Sequence, residues 1–140
     1  GKDWFRPDIP YVIAINTSAF HIQDHTHMPR IIKALFGIGG MYVTFSSVDD
    51  FKESSWINRE YVEKKCGSKV VTDLFLSDKF TKLSGVIFSN DDSINERGGI
   101  GDSSFIVNNP FAANPLPDFS QCFKGWTATD HGDKIELAKV

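Results

Sequence analysis

The sequence predicts an α/β or α+β fold built on a mixed β-sheet, and two apolar segments carry this prediction. Residues 11–16 form an almost uninterrupted apolar run, and residues 83–89 are nearly all apolar at their centre. Short apolar runs bounded by polar residues are typical of strands that are buried on both faces of a sheet. We therefore expect the sheet to be centred on the strands at residues 11–16 and 83–89.

A helix is predicted over residues 29–36, directly after a histidine-rich segment. Pro29 suits the first turn of a helix, because that turn needs no backbone N–H from it. The apolar residues Ile31, Ile32 and Leu35 then recur at helical spacing. Gly37 stands where a helix ends in a left-handed residue. Together with the preceding strand, this segment makes a β–α unit.

A second helix is predicted over residues 59–66. Asn58 is a suitable N-cap, Gly67 closes the segment, and Tyr61 and Val62 would be its buried residues. Further strands are predicted at residues 41–46 and 103–107, with an edge strand near residues 134–137. Residues 47–57 read as a surface loop that carries Trp56. The apolar run at residues 70–76 is equally compatible with a strand and a helix.

Composition limits the class of protein. A chain of 140 residues is long enough for one ordinary domain, and we expect residues 1–140 to form a single domain. The formal charge of −3 gives no electrostatic reason to expect a nucleic-acid partner. No apolar run approaches the roughly 20 residues that cross a bilayer, and no signal peptide is visible. The sequence therefore predicts a cytoplasmic protein without a membrane partner.

Three of the four histidines lie in one short segment after the first predicted strand. Ligands of open α/β sheets bind beyond the carboxyl ends of the strands, so this is where a site is expected. Imidazoles can bind zinc or nickel, and a neighbouring carboxylate can bind the metal or orient a ring. The candidate metal ligands are His21, Asp24, His25 and His27. An ordinary polar loop with surface histidines is the alternative, and no other cofactor is expected.

A glycine-rich loop at residues 96–102 is a second candidate site. Its glycines can expose backbone N–H groups to an anion, and the candidate binding residues are Arg97, Gly98, Gly99 and Gly101. The loop matches neither the P-loop nor the dinucleotide-binding fingerprint. A well-ordered turn is the simpler interpretation.

Cys66 and Cys122 are the only cysteines, and two reduced, partly buried thiols are expected rather than a disulfide.

Four segments together resemble the carboxyl-terminal part of a group of uncharacterised bacterial proteins. They are the strand at residues 10–16, the helix end Ala34-Leu35-Phe36-Gly37, the strand Leu83-Ser84-Gly85-Val86-Ile87-Phe88, and Asn109-Pro110-Phe111-Ala112 with Pro115-Leu116-Pro117. The resemblance covers about residues 9–117. It implies that the amino-terminal part of such proteins is similar to a restriction-endonuclease core. That part is not in this chain, so the resemblance assigns no catalytic residue here.

Three functional hypotheses follow. The first is a non-catalytic carboxyl-terminal module of a larger, nuclease-like bacterial protein. Such a module completes a sheet and contacts either protein, such as the rest of its own longer chain, or nucleic acid, which the charge does not support. The absence of an initiator methionine before Gly1 agrees with this expectation. The second is a small metal-binding or metal-dependent domain that uses the histidine segment. The third is a homo-oligomeric interaction domain, because 12 phenylalanines imply an aromatic core or an exposed apolar face.

Overall fold

A computed structural model describes residues 8–18, 28–47, 50–90, 104–120, 122 and 124–140, without the side chains of residues 42–47 and 50–54. The chain divides into two compact units. One comprises residues 1–25 and 78–140, and the other comprises residues 26–77.

The described elements are mostly strands. In chain order they are β1 (Val12–Asn16), α1 (Arg30–Leu35), β2 (Ile38–Ser47), β3 (Asp50–Asn58), β4 (Tyr61–Glu63), β5 (Lys69–Val71), β6 (Gly85–Ser89), β7 (Ser104–Asn108), β8 (Gly125–Asp130) and β9 (Ile135–Lys139). Two short 3₁₀ helices, Leu74–Leu76 and Asp78–Phe80, lie between β5 and β6.

The first unit contains a five-stranded mixed sheet with the strand order β1-β6-β7-β8-β9. β1 runs parallel to β6 and β7 runs parallel to β8, whereas β6–β7 and β8–β9 are antiparallel. The predicted fold class, α/β or α+β with a mixed β-sheet, is therefore confirmed, and the described residues contain few helices. The predicted strands at residues 83–89 and 103–107 correspond to β6 and β7, and the predicted edge strand near residue 134 corresponds to β9.

One face of this sheet is covered by the chain itself. Gly125 begins β8, and a Cβ atom at this position would lie 2.6 Å from the Phe119 ring and 2.5 Å from the carbonyl oxygen of Ile106. Only glycine therefore lets the segment that carries Phe119 approach the sheet this closely. Ile106 lies on the same face and is buried. The proline-rich segment after β7 thus packs on the sheet.

Two adjacent asparagines hold this arrangement together. The side-chain amide of Asn108 donates to the carbonyl oxygen of Ala128 at 3.0 Å and accepts from its N–H at 2.6 Å, so it extends the short β7–β8 ladder. Asn109 is only 2% exposed. Its Nδ2 donates to the carbonyl oxygens of Phe80 (3.2 Å) and Leu83 (2.8 Å), and its Oδ1 accepts from the N–H of Phe111 (3.0 Å). Every side-chain polar atom of Asn109 is thereby paired.

The second unit has its own core around α1. Ile32 and Leu35 of this helix are buried, as is Phe75. The Phe36 and Phe75 rings meet edge to face, with 5.5 Å between their centroids. The predicted helix at residues 29–36 is therefore confirmed, and Gly37 follows it with a φ of 62°, as its position predicts.

The second predicted helix, over residues 59–66, is wrong. This segment forms the hairpin β4–β5, in which Tyr61 pairs with Val71 and Val62 pairs with Val70. The turn between the strands is closed by Gly67, whose φ is 81°. The tyrosine and β-branched residues favour a strand, and their pairing outweighs the helical preference of the intervening charged residues.

Other differences concern the strands. Residues 11–16 form a strand, but they are neither buried on both faces nor central, because β1 ends the described strand order and β7 is the middle strand. The predicted loop at residues 47–57 is largely β3, which pairs with β2 and brings Trp56 opposite Met41. Residues 41–46 do form a strand, within the longer β2. β8 had no counterpart in the sequence prediction.

Cys66 and Cys122 are free, as expected, but both are exposed rather than partly buried.

Candidate functional site: the outer edge of strand β1

Both sites predicted from the sequence lie outside the described residues. They are the candidate metal ligands His21, Asp24, His25 and His27, and the candidate anion-binding residues Arg97, Gly98, Gly99 and Gly101. Within the described ranges, no group of three or more histidine, cysteine, aspartate or glutamate side chains could hold a metal ion. The two candidate sites remain predictions.

The start of β1 is fixed to the sheet by Ser84. The N–H of Tyr11 donates to Ser84 Oγ at 2.8 Å, and the N–H of Ser84 donates to the carbonyl oxygen of Tyr11 at 2.7 Å. At the other end, the N–H of Thr17 donates to the carbonyl oxygen of Ser89 at 2.9 Å. Odd-numbered residues of this strand therefore point their backbone groups towards β6.

The even-numbered residues point their backbone groups the other way. Along a strand, successive N–H and C=O groups alternate in direction, so Val12 and Ala14 present theirs to the outer edge of β1. Among the described residues, no strand pairs with this edge. An unpaired row of N–H and C=O groups is a template for pairing with another strand.

The side chains of β1 are apolar and unusually exposed. Tyr11, Ile13 and Ile15 alternate along the chain and so lie on one face, with 38%, 42% and 36% of their surface exposed. On that face, Ile13 pairs with Val86 and Ile15 pairs with Phe88. Val86 is buried, so exposure increases from the interior of the sheet towards its outer edge.

The two edges of the sheet differ in charge. Residues 10–18 contain no charged side chain. β9, the strand at the opposite end of the order, carries Glu136 and Lys139, both exposed, and Glu136 Oε2 lies 2.9 Å from Nε2 of His131. Charged side chains are a common protection of edge strands against unwanted pairing. β9 has this protection, whereas β1 lacks it.

The β4–β5 hairpin is a second exposed element. Tyr61, Val62, Val70 and Val71 are between 40% and 52% exposed although they lie on both faces of the hairpin. In its turn, Cys66 Sγ lies 3.2 Å from Ser68 Oγ. Hydrogen bonding from the Ser68 side chain, and then from its backbone, lowers the pKa of the Cys66 thiol.

Other polar features of the described residues are local. An open cavity of about 400 Å³ is lined by Asn58, Arg59, Glu60 and Tyr61, which do not pair a nucleophile with a base. Asp118 accepts a hydrogen bond from the backbone N–H of Ser120 at 2.9 Å. Hydrogen bonds from Ser120, first from its side chain, lower the pKa of the Asp118 carboxyl. These contacts stabilise turns and do not assemble a reactive centre.

Comparison of this chain with protein families, with curated proteins and with solved structures found no match. Of the helices in the described part of the chain, none has the length and apolar character needed to cross a membrane. The β1 edge was not among the sites predicted from the sequence, although a signal was present. A run of apolar residues without any charge fits an unprotected edge strand as well as a buried strand.

Proposed function

We propose that this chain is a non-catalytic interaction module that completes a β-sheet by accepting a partner strand on the outer edge of β1. The observation that carries this proposal is the combination of outward-facing backbone groups at Val12 and Ala14 with exposed isoleucines at positions 13 and 15. In strand addition, main-chain hydrogen bonds give affinity and alternate side chains give specificity.

The chemistry of the edge defines the partner. An accepted strand must itself be uncharged where it faces β1, because an unpaired charge against Ile13 would lose its hydration without compensation. β-branched and aromatic residues on one face of that strand would cover Ile13 and Ile15. The module hypothesis from the sequence fits this role: the function is to complete a sheet, without chemistry of its own.

A peptide that copies residues 10–17 tests strand acceptance directly. N-methylation of alternate amides on one edge of this peptide stops it from aggregating and leaves its other edge able to pair. We expect saturable binding of the fluorescently labelled peptide in an anisotropy titration. The same peptide with Ile13→Lys and Ile15→Lys is the control and should not bind.

A proline variant of the protein locates the binding. In Ala14→Pro the strand loses an N–H that points outward, so pairing between β1 and β6 is retained while the edge loses a donor. Peptide affinity should fall by at least about fivefold, as expected for one lost hydrogen bond. Equal binding to the wild-type protein and to Ala14→Pro contradicts the proposal, as does a lack of binding to either when the wild-type chain is a monomer with a free β1 edge.

A further inference from the structure

We propose that the strand accepted by β1 is β1 of a second copy of this chain, antiparallel to the first about a twofold axis at Ile13. This inference rests on the proposed function, and it names the partner. The sequence hypothesis of a homo-oligomer placed phenylalanines in the interface. The geometry of β1 points instead to an interface made by a single strand.

The backbone of β1 is self-complementary in this arrangement. With the axis at Ile13, Val12 of each copy lies opposite Ala14 of the other. Both residues present their N–H and C=O groups to the outer edge, and directly opposed residues of this kind exchange both hydrogen bonds. The two pairs related by the axis therefore form four hydrogen bonds. Pro10 has no N–H to donate, so the ladder weakens beyond Tyr11.

The side chains are complementary as well. Ile13 lies opposite Ile13 of the second copy, and Tyr11 lies opposite Ile15. These are the closely spaced, non-hydrogen-bonded positions of an antiparallel ladder, where β-branched and aromatic pairs stabilise most. The axis at Ile13 sets Asn16 opposite Pro10, at the end of the ladder. A register centred on Ala14 moves Asn16 inwards, opposite Val12, and a register centred on Val12 sets Ala14 opposite Pro10, which lacks the N–H for an exchanged pair. The axis at Ile13 is therefore the register that keeps apolar, fully paired residues at the centre of the ladder.

Charge favours the same partner. A second copy of β1 brings an uncharged strand, since residues 10–18 contain no aspartate, glutamate, lysine, arginine or histidine. β9 would bring Glu136 and Lys139 beside the apolar side chains of β1, where both would lose part of their hydration. Of the described edge strands of the five-stranded sheet, β1 itself is the one that matches the requirement.

Charge substitutions at the axis give a test that a purely structural role of Ile13 would not satisfy. We expect sedimentation velocity to show a dimer for the wild-type chain. Ile13→Lys and Ile13→Glu each place like charges opposite one another and should raise the dimer dissociation constant at least about 100-fold. An equimolar mixture of the two variants should restore the dimer, because lysine then faces glutamate. Val70→Lys, at a strand position with the same 42% exposure, should leave the dimer unchanged.

A cysteine variant tests the position of the axis and does not depend on charge. In a chain with Cys66→Ser and Cys122→Ser, Ile13→Cys would place two thiols at opposed positions about 4.5 Å apart between Cα atoms. This spacing lies within the range that a disulfide accepts, about 4.4–6.8 Å. We expect a disulfide-linked dimer under mild oxidation for Ile13→Cys and none for Val70→Cys. This readout also decides the case if the charged variants fail to fold.

The possible outcomes distinguish an error in the inferred partner from an error in the proposed function. A wild-type chain that stays monomeric at its highest soluble concentration, yet binds the peptide copy of residues 10–17, overturns the second copy as partner and leaves strand acceptance standing. A dimer that is unaffected by both Ile13 variants and is not linked through Ile13→Cys places self-association elsewhere and also overturns the inference. If the wild-type chain neither forms a dimer nor binds the peptide, the proposed function itself is refuted.

Discussion

The amide of Asn109 makes the sharpest stability prediction, because replacing it by a carboxylate changes almost no volume. In Asn109→Asp, an oxygen replaces the Nδ2 donor that faces the carbonyl oxygens of Phe80 and Leu83. Two hydrogen bonds are lost, at about 1 kcal/mol each. A carboxylate is also buried beside two carbonyl dipoles, at a site that is 2% exposed. Together these effects should reduce the free energy of unfolding at pH 7 by about 3–5 kcal/mol.

The pH dependence of this loss follows from the same geometry. Burial and the facing carbonyl oxygens raise the pKa of the new carboxyl at position 109 in the folded protein above its unfolded value of about 3.9. The folded state then binds the proton more tightly, so the deficit relative to wild type is smallest below about pH 4 and grows as the pH rises through the folded-state pKa. A protonated carboxyl can also donate to the carbonyl oxygen of Leu83.

Urea unfolding of the wild-type protein and the variant, compared at the same pH, measures both effects. Asn58→Asp is the matched control, because Asn58 is exposed and its substitution should change stability by no more than about 0.5 kcal/mol. A loss below about 1 kcal/mol at pH 7 for Asn109→Asp would refute the hydrogen-bond argument. A deficit that widens at acidic pH would refute the sign of the pKa shift.

Three further predictions address packing and reactivity. Gly125→Ala should destabilise the protein by about 2 kcal/mol in urea, because its Cβ meets backbone and ring atoms below 3 Å, whereas Gly40→Ala meets one methyl at 3.9 Å and should be nearly neutral. Phe75→Ala empties a fully buried site and should cost about 3–5 kcal/mol; a loss below 1 kcal/mol would contradict its role in the core. Ser68→Ala should slow alkylation of Cys66 at pH 7 about threefold and move the midpoint of its pH–rate profile upwards, and an unchanged profile would contradict the hydrogen-bond origin of the low pKa.

The parts of the fold that could be predicted are those where local signals agree. α1 has Pro29 before it, Gly37 after it and apolar residues at helical spacing, and each of these depends only on neighbours in sequence. β6 was predictable for a similar reason, because its apolar run is short, has polar flanks and is β-branched and aromatic at its centre, a combination that favours a strand. For these elements the sequence pattern and the tertiary environment favour the same structure.

The β4–β5 hairpin could not be predicted in this way. Residues 59–66 contain a capping asparagine before them and good helix formers within them, so the local pattern favours a helix. What decides the structure is the pairing of Tyr61 and Val62 with Val71 and Val70, and no helical period in the sequence records it. Pairing energy between two neighbouring segments of the chain outweighs the helical propensity of each residue here.

The candidate site at the β1 edge could not be predicted, because the burial of a strand depends on which other segments pack beside it. The residues of β1 carry the composition of a buried strand, and composition does not say whether another strand follows on the outer side. Ser84 and Asn109 also had no distinguishing signal in the sequence, although both are buried and the side chain of each is hydrogen-bonded to the backbone of a distant segment. The sequence shows the residue types, whereas their roles depend on contacts between residues far apart in the chain.

The difference in charge between the two edges of the sheet limits how far the chain can assemble. If both edges accepted strands, each added copy would expose a fresh edge and growth would continue as a filament. Glu136 and Lys139 on β9 oppose pairing at that edge, so in the proposed dimer the five-stranded sheets of two copies meet at their β1 edges. Once they do, the ten strands of the joined sheets end in charged strands on both sides. The proposed dimer is closed by its twofold symmetry, and the charged residues of β9, far from the interface, would keep its size at two.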